Sequence, residues 1–302
     1  MSRSTLGEDA MELRTIDTGG LVHYAYFGGQ GPRTIVLVHG LGGSLCNWAA
    51  AAPRLTHLGQ VIALDLAGFG RSPWSPGAAQ ISSQRALLGR FLKAISPYPV
   101  VLVGNSMGGM LTMLQAAQEP ATVAALVLVC PALLLAPLRT MEREIAAFFA
   151  LGATPGLGEA LARRRQRHIP PEKAVSQMLR LCGLDLRTMD PHVLHLHHEL
   201  ARERYRMPWA IPAFHEASRS LLMRLIFCSR EVRQAMRAVR APTLLMQGLT
   251  DRLVPAVTTR RAHQLCPAWT LDELPGQGHT PMLQNPDLFA RRLTSWFQTI
   301  GA

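Results

Sequence analysis

The chain has 302 residues, 48% apolar and 17% charged, with a formal net charge of +11. This suits one large domain, or a domain carrying a substantial insertion, and excludes a disordered or disulfide-stapled protein. The longest apolar stretch, "VAALVLVCPALLLAPL" from Val123, is interrupted by Pro131 and Pro137 and is too short to span a bilayer.

The amino terminus, "MSRSTLGEDAMELR", lacks the apolar core of a signal peptide, so a cytoplasmic protein is expected, disordered over about its first ten residues. "GLVHYAYFG" then alternates at period two, while "TIVLVHG", "VIALDLAG", "VVLVGN" and "ALVLVC" are continuous apolar runs. Such runs suit parallel strands buried on both faces. Between them, "QISSQRALLGRFLKAI" places Leu87, Leu88, Phe91, Leu92 and Ile95 on one helical face. Alternating strand and helix predicts an α/β protein whose parallel sheet is covered on both sides.

That rhythm stops at Pro131. From 131 to 240 the pattern is helical and amphipathic, broken at "GATPG", "HIPPE" and "MPWAIP". It resumes with "PTLLMQG" and "WTLDELP" as strands and closes with a helix around "PDLFARRLTSWFQTI". The expected organisation is a core over 1–130 and 241–302, interrupted by a helical insertion over 131–240 that is too long for a loop. No internal repeat or low-complexity tract is present.

The insertion holds 17 Arg and one Lys against 10 Asp and Glu, a net of +8. No helix-turn-helix, zinc finger or aromatic-basic sheet motif accompanies this charge, so a nucleic-acid partner is not expected. "ARRRQRH" (162–168) reads as a solvated helix face, the alternative being weak contact with anionic lipid or an acidic substrate. Cys46, Cys130, Cys182, Cys228 and Cys266 are odd in number and lie far apart, which reads as reduced, mostly buried thiols.

The chemistry concentrates around "GNSMGG". Ser106 ends a buried strand and opens a helix, and Gly104 and Gly108 let the two elements approach closely. The Met107 N–H then points from the positive end of the helix towards any oxyanion formed there. A serine hydroxyl needs a base, itself oriented by a carboxylate. His279, in "LPGQGHTPMLQNPD", lies just past the last strand, and Asp251, in "LLMQGLTDRLVP", just past the preceding one. Each alone reads as a loop-capping residue. Together, in the order Ser106, Asp251, His279 at strand ends, they predict a catalytic triad.

From about residue 20 onward the chain resembles the α/β-hydrolase fold family. The resemblance implies a mostly parallel eight-stranded sheet flanked by helices, with residues 131–240 as the family's inserted helical cap. "VLVHGLGGS" resembles the family's oxyanion loop, in which the residue after His-Gly, here Leu41, supplies a second backbone N–H. His39 carries over as loop architecture, and "DLAGFGRS" (Asp65 to Ser72) resembles a structural loop. Candidate substrate-binding residues are Gly40, Asn105, Phe148 and Trp209, and Phe149, Leu151, Met178 and Phe214 are further apolar cap residues suited to a pocket.

A serine at the elbow excludes the epoxide-hydrolase and haloalkane-dehalogenase branches, which the resemblance associates with aspartate there. The leading expectation is a serine hydrolase that cleaves a carboxylic ester or thioester of a small to medium apolar substrate through an acyl-enzyme, with neither cofactor nor metal. The alternative is a C–C bond hydrolase acting on a ring-fission dienoic acid. Some of those enzymes carry Asn-Ser-Met-Gly-Gly, and Asn105 with a basic cap suits a carboxylate, although they commonly place Trp where Thr280 stands. A ligand-binding receptor with a vestigial triad is the reading of another class, and it would need a damaged triad or oxyanion loop. Finally, "HVLHLHHELARER" brings His192, His195, His197, His198 and Glu199 close in sequence. It reads as a solvated or cap-contact face, with a metal site as the alternative. Oligomeric state is left open.

Overall fold

The computed structural model describes residues 11–31, 33–133, 135, 142, 145, 147, 151 and 154–301. Its strands are β1 (Glu12–Asp17), β2 (Leu21–Tyr26), β3 (Thr34–Val38), β4 (Gln60–Leu64), β5 (Val100–Asn105), β6 (Val123–Val129), β7 (Thr243–Gly248) and β8 (Thr270–Leu274). They form one sheet in the order β1-β2-β4-β3-β5-β6-β7-β8. β3 to β8 are parallel, and β1 and β2 join antiparallel at one edge. The α/β expectation and the eight-stranded, mostly parallel sheet are thus met.

Seven strands coincide with the runs read from the sequence. β1 does not: its residues are almost all exposed, because an edge strand with little packed against it carries no apolar signal. The interior strands differ. β3 and β5 are buried at every position, and their side chains alternate between two apolar layers. Val36 and Val38 join the layer formed with α1 (Ile81–Ile95) and α2 (Met107–Gln118). Ile35 and Leu37 join the opposite layer, with Phe289, Leu293 and Trp296 of the last helix (Pro286–Thr299).

Between β6 and β7 the described residues include α3 (Leu157–His168), α4 (Pro171–Leu181), α5 (Pro191–Arg206), α6 (Ala210–Phe227) and α7 (Ser229–Ala238). The breaks flagged by Gly and Pro fall where α3, α4 and α6 begin. α7, although inside the 131–240 span, buries Val232 and Met236 in the same layer as α2. The remaining helices are α8 (Val257–Leu265), α9 (Pro281–Gln284) and α10, the last helix. Among the described residues no helix is long and apolar enough to cross a membrane.

In parallel strands, every loop that follows a carboxyl end emerges on the same rim. α5 and α6 are tied to one of these loops, residues 65–79. Arg71 forms a two-pronged pair with Glu203 at 2.7 Å for each contact, and Arg204 donates to the carbonyls of Gly68 and Gly70 at 3.0 Å. Glu216 accepts from Trp74 Nε1 at 2.6 Å, the Gly77 N–H at 2.6 Å and the Ala79 N–H at 3.1 Å. Three donors converge on one half-buried carboxylate, and truncating it leaves all three unpaired. Glu216→Ala is therefore expected to lower stability by about 2–3 kcal/mol in urea unfolding. A loss below about 0.5 kcal/mol would place this anchor among ordinary surface contacts.

Candidate active site

The turn from β5 to α2 is built as the glycines require. A Cβ on Gly104 would lie 2.4 Å from the Gly108 carbonyl oxygen, and one on Gly108 would lie 2.4 Å from that of Val38. Ser106 between them has φ 56° and ψ −118°, a conformation costly for a residue with a Cβ. The surroundings hold it there: its N–H donates to Val129 O at 3.0 Å, and its carbonyl accepts from Met110 and Ala132. Ser106 is half-buried, and its hydroxyl has no hydrogen-bond partner among the described residues.

Asp251 and His279 meet. Nδ1–H of His279 donates to Asp251 Oδ2 at 2.7 Å, and both residues are buried. The other carboxylate oxygen accepts the N–H groups of Leu253 at 2.8 Å and Val254 at 3.0 Å. Because a carboxylate can only accept here, the ring proton sits on Nδ1 and the lone pair on Nε2. The base's loop is fixed from two sides. The His279 N–H donates to Cys182 O at 2.9 Å, and Asn105 Nδ2 donates to His279 O at 3.0 Å. The residue preceding the serine therefore carries the backbone of the histidine.

Asn105 is 1% exposed and also donates to Val129 O at 3.1 Å, so its amide is a peg behind the site. Gly40 faces the serine directly, since a Cβ there would lie 2.8 Å from Ser106 Cβ. Leu41 is half-buried, and Met107 is the first, fully buried residue of α2. Neither backbone N–H has an acceptor among the described residues. Trp209 is half-buried just ahead of α6, with its indole N–H unpaired among the described residues. Phe148 and Phe149 lie outside the described residues.

The supporting loop is saturated with hydrogen bonds. His39 donates from Nδ1 to Gly40 O at 2.7 Å and accepts the Leu66 N–H at Nε2. Full burial pushes its pKa down, so it remains a neutral strut. Asp65 accepts the N–H groups of Leu45 at 2.7 Å and Arg71 at 2.9 Å, which joins the loops after β3 and β4.

Cys130, one of the mostly buried thiols the sequence predicts, stands beside the pair. It follows β6 in a left-handed conformation, φ 44°. Its thiol donates to Gly278 O and accepts the Gly248 N–H. Burial first, and then the charge of Asp251, push its pKa well up and keep it a neutral thiol. Ligand-capable atoms of Cys130, Asp251 and His279 lie within 4.8 Å of one another, the one such group among the described residues. Nothing in "LVLVCP" signals this position, because the contact depends on where β7 and the histidine loop lie. The cluster from His192 to Glu199 does not converge: His195 faces Glu199 at 3.8 Å on the surface, His198 contacts Ser176 Oγ, and His197 is buried. Arg163, Arg164, Arg165 and Arg167 are exposed.

A strained serine, a carboxylate–imidazole pair and two open backbone N–H groups share one rim of a mostly parallel sheet. The chain belongs to the alpha/beta hydrolase fold family, whose model matches residues 33–286. 2-Hydroxy-6-oxo-2,4-heptadienoate hydrolase of Pseudomonas putida is 29% identical over 286 residues, covering 92% of this chain and 93% of that protein. Lipase LipV of Mycobacterium tuberculosis is 36% identical over 121 residues, 40% of this chain and 46% of that one. Among solved structures, haloalkane dehalogenase DatA of Agrobacterium tumefaciens aligns with a TM-score of 0.81 at 19% identity, covering 97% of this chain and 98% of that chain. A putative lipase of Acinetobacter baumannii aligns with a TM-score of 0.74 at 19% identity, covering 97% and 92%. At such identities the structural likeness speaks for the fold alone.

Proposed function

We propose that this protein is a serine hydrolase that cleaves a carboxylic ester or thioester of a small to medium apolar molecule through an acyl-enzyme. The observation that carries the reading is the buried Asp251–His279 hydrogen bond on the rim where the strained Ser106 stands. His279 Nε2 takes the Ser106 proton as Oγ attacks the carbonyl carbon, and the N–H groups of Leu41 and Met107 receive the oxyanion. The imidazolium, steadied by Asp251, returns that proton to the departing alcohol or thiol. Water then repeats the sequence on the acyl-enzyme, releasing the acid and restoring the hydroxyl. The serine–histidine hydrogen bond forms when substrate fills the site. The helices α3 to α6 act as a cap over this rim.

A second reading keeps the three residues and changes the bond cleaved. The likeness to the P. putida hydrolase extends over nearly the whole chain, and that protein's name specifies a dienoate substrate. Turnover of p-nitrophenyl esters of rising chain length, measured beside a dienoic C–C substrate, separates the two. Ester kcat/KM is expected to exceed that for C–C cleavage by at least about 10-fold, a margin of about 1.4 kcal/mol. The reverse ratio selects the C–C reading, and no turnover of either removes both.

A further inference from the structure

The chain leaves β6 through Val129, Cys130, Pro131 and Ala132, and this short exit meets the loops of all three proposed triad residues. Val129 O accepts the Ser106 N–H at 3.0 Å, and the Ala132 N–H donates to Ser106 O at 3.0 Å. Both backbone groups of the strained serine are therefore held here. A Cβ on Gly109, in the helix that the serine opens, would lie 2.9 Å from Pro131 Cβ, so the exit also abuts the first turn of α2.

The side chain of Cys130 reaches the other two loops. Its Sγ accepts the Gly248 N–H, at the end of β7, at 3.4 Å, and donates to Gly278 O, directly before His279, at 3.7 Å. A carboxylate oxygen of Asp251 and a ring nitrogen of His279 both lie within 4.8 Å of it. Burial keeps the thiol protonated, so it has the hydrogen that Gly278 O accepts. The two loops are pressed together at this point, since a Cβ on Gly248 would lie 2.0 Å from Gly278 O. The sulfur sits in the seam between acid and base.

The backbone points the same way. Among the described residues, Cys130 at φ 44° and Ser106 are the two non-glycine residues with positive φ. Such strain persists only where the surroundings over-determine it, and it gathers at functional sites. Glycine would carry this backbone without strain, so stability alone does not select a cysteine. Serine is a poor replacement. Its shorter C–O bond and tighter hydrogen-bond distances leave a hydroxyl unable to span two partners that sulfur reaches at 3.4 and 3.7 Å.

We propose that Cys130 is a positioning residue: its sulfur ties the Asp251 loop to the His279 loop, on the same segment that holds Ser106, and so sets the aim of the base at the serine. It acts through Asp251 and His279 and touches no substrate. This deepens the hydrolase reading above and, for its effect on turnover, rests on it. Misaimed groups cost rate rather than binding, because alignment is demanded most in the transition state.

The test uses Cys130→Ala, Cys130→Gly and Cys130→Ser in the full chain. Cys130→Gly relieves the φ strain while removing the sulfur, so its midpoint in urea unfolding is expected to stay near wild type, which separates aim from stability. With p-nitrophenyl esters, Cys130→Ala and Cys130→Gly should each lose about 10-fold in kcat with KM within about 2-fold of wild type. Cys130→Ser should recover part of that loss. Proton NMR reads the pair without turnover. The Nδ1 proton shared with Asp251 gives a far-downfield resonance, identified by its disappearance in Asp251→Asn, and it should move or broaden in Cys130→Ala and Cys130→Gly. Wild-type kcat in Cys130→Gly, a change confined to KM, or an unmoved resonance overturns the inference. If wild type hydrolyses no ester, the resonance decides alone: its movement supports the placing of the pair by sulfur, and only the hydrolase reading fails.

Discussion

Ser106→Ala is expected to lower ester kcat/KM by at least about 10³-fold and to abolish labelling by a fluorophosphonate probe, with the fold intact. The hydroxyl makes no hydrogen bond to any described residue, so its loss leaves no partner unpaired. The backbone supplies a sharper companion. At φ 56° and ψ −118° a side chain is held under strain of about 1–3 kcal/mol, which glycine does not bear. Ser106→Gly should therefore be inactive and about 1 kcal/mol more stable in urea unfolding. A residue selected only for stability would not be improved by its removal. Wild-type labelling that persists in Ser106→Ala would falsify the nucleophile assignment.

Asp251→Asn is expected to cost about 10⁴-fold in kcat with little change in stability. The two carboxylate oxygens have separate tasks. Oδ1 accepts the N–H groups of Leu253 and Val254, and Oδ2 accepts Nδ1–H of His279. An asparagine can keep its carbonyl oxygen on the two backbone donors, which preserves the turn. Its amide NH2 then faces His279 and can only donate, so the imidazole must present a lone pair at Nδ1 and carry its proton at Nε2. That is the wrong tautomer for a base at Ser106. Stopped-flow or steady-state ester kinetics on a folded variant check this, and a loss under 10-fold would mean that Asp251 does not orient the base.

Much of this site could be read along the chain, because its parts occupy strand ends and strands are easy to see when both faces are buried. The run ending at Asn105 located Ser106, and "PTLLMQG" and "WTLDELP" located the loops of Asp251 and His279 by the same logic. β1 was missed since it lies on an edge, where solvent replaces the packing that writes an apolar pattern. The span 131–240 read as one helical stretch, yet α7 packs beside α2. Its Val232 and Met236 look like any amphipathic helix until a partner is assigned.

Local residue order determined which groups are available: a serine between glycines, an acid and a histidine after the last two strands, and a small-residue loop after β3. Those choices follow from backbone sterics and burial, which act over a few residues. Only the tertiary structure decided that Asn105 holds the carbonyl of His279, that Cys130 packs against the acid–base pair, and that His197 is buried with its Nε2 unpaired among the described residues. Each of these joins positions far apart in the chain or sets the facing of a helix, and such relations exist only once the sheet order and helix docking bring the partners together.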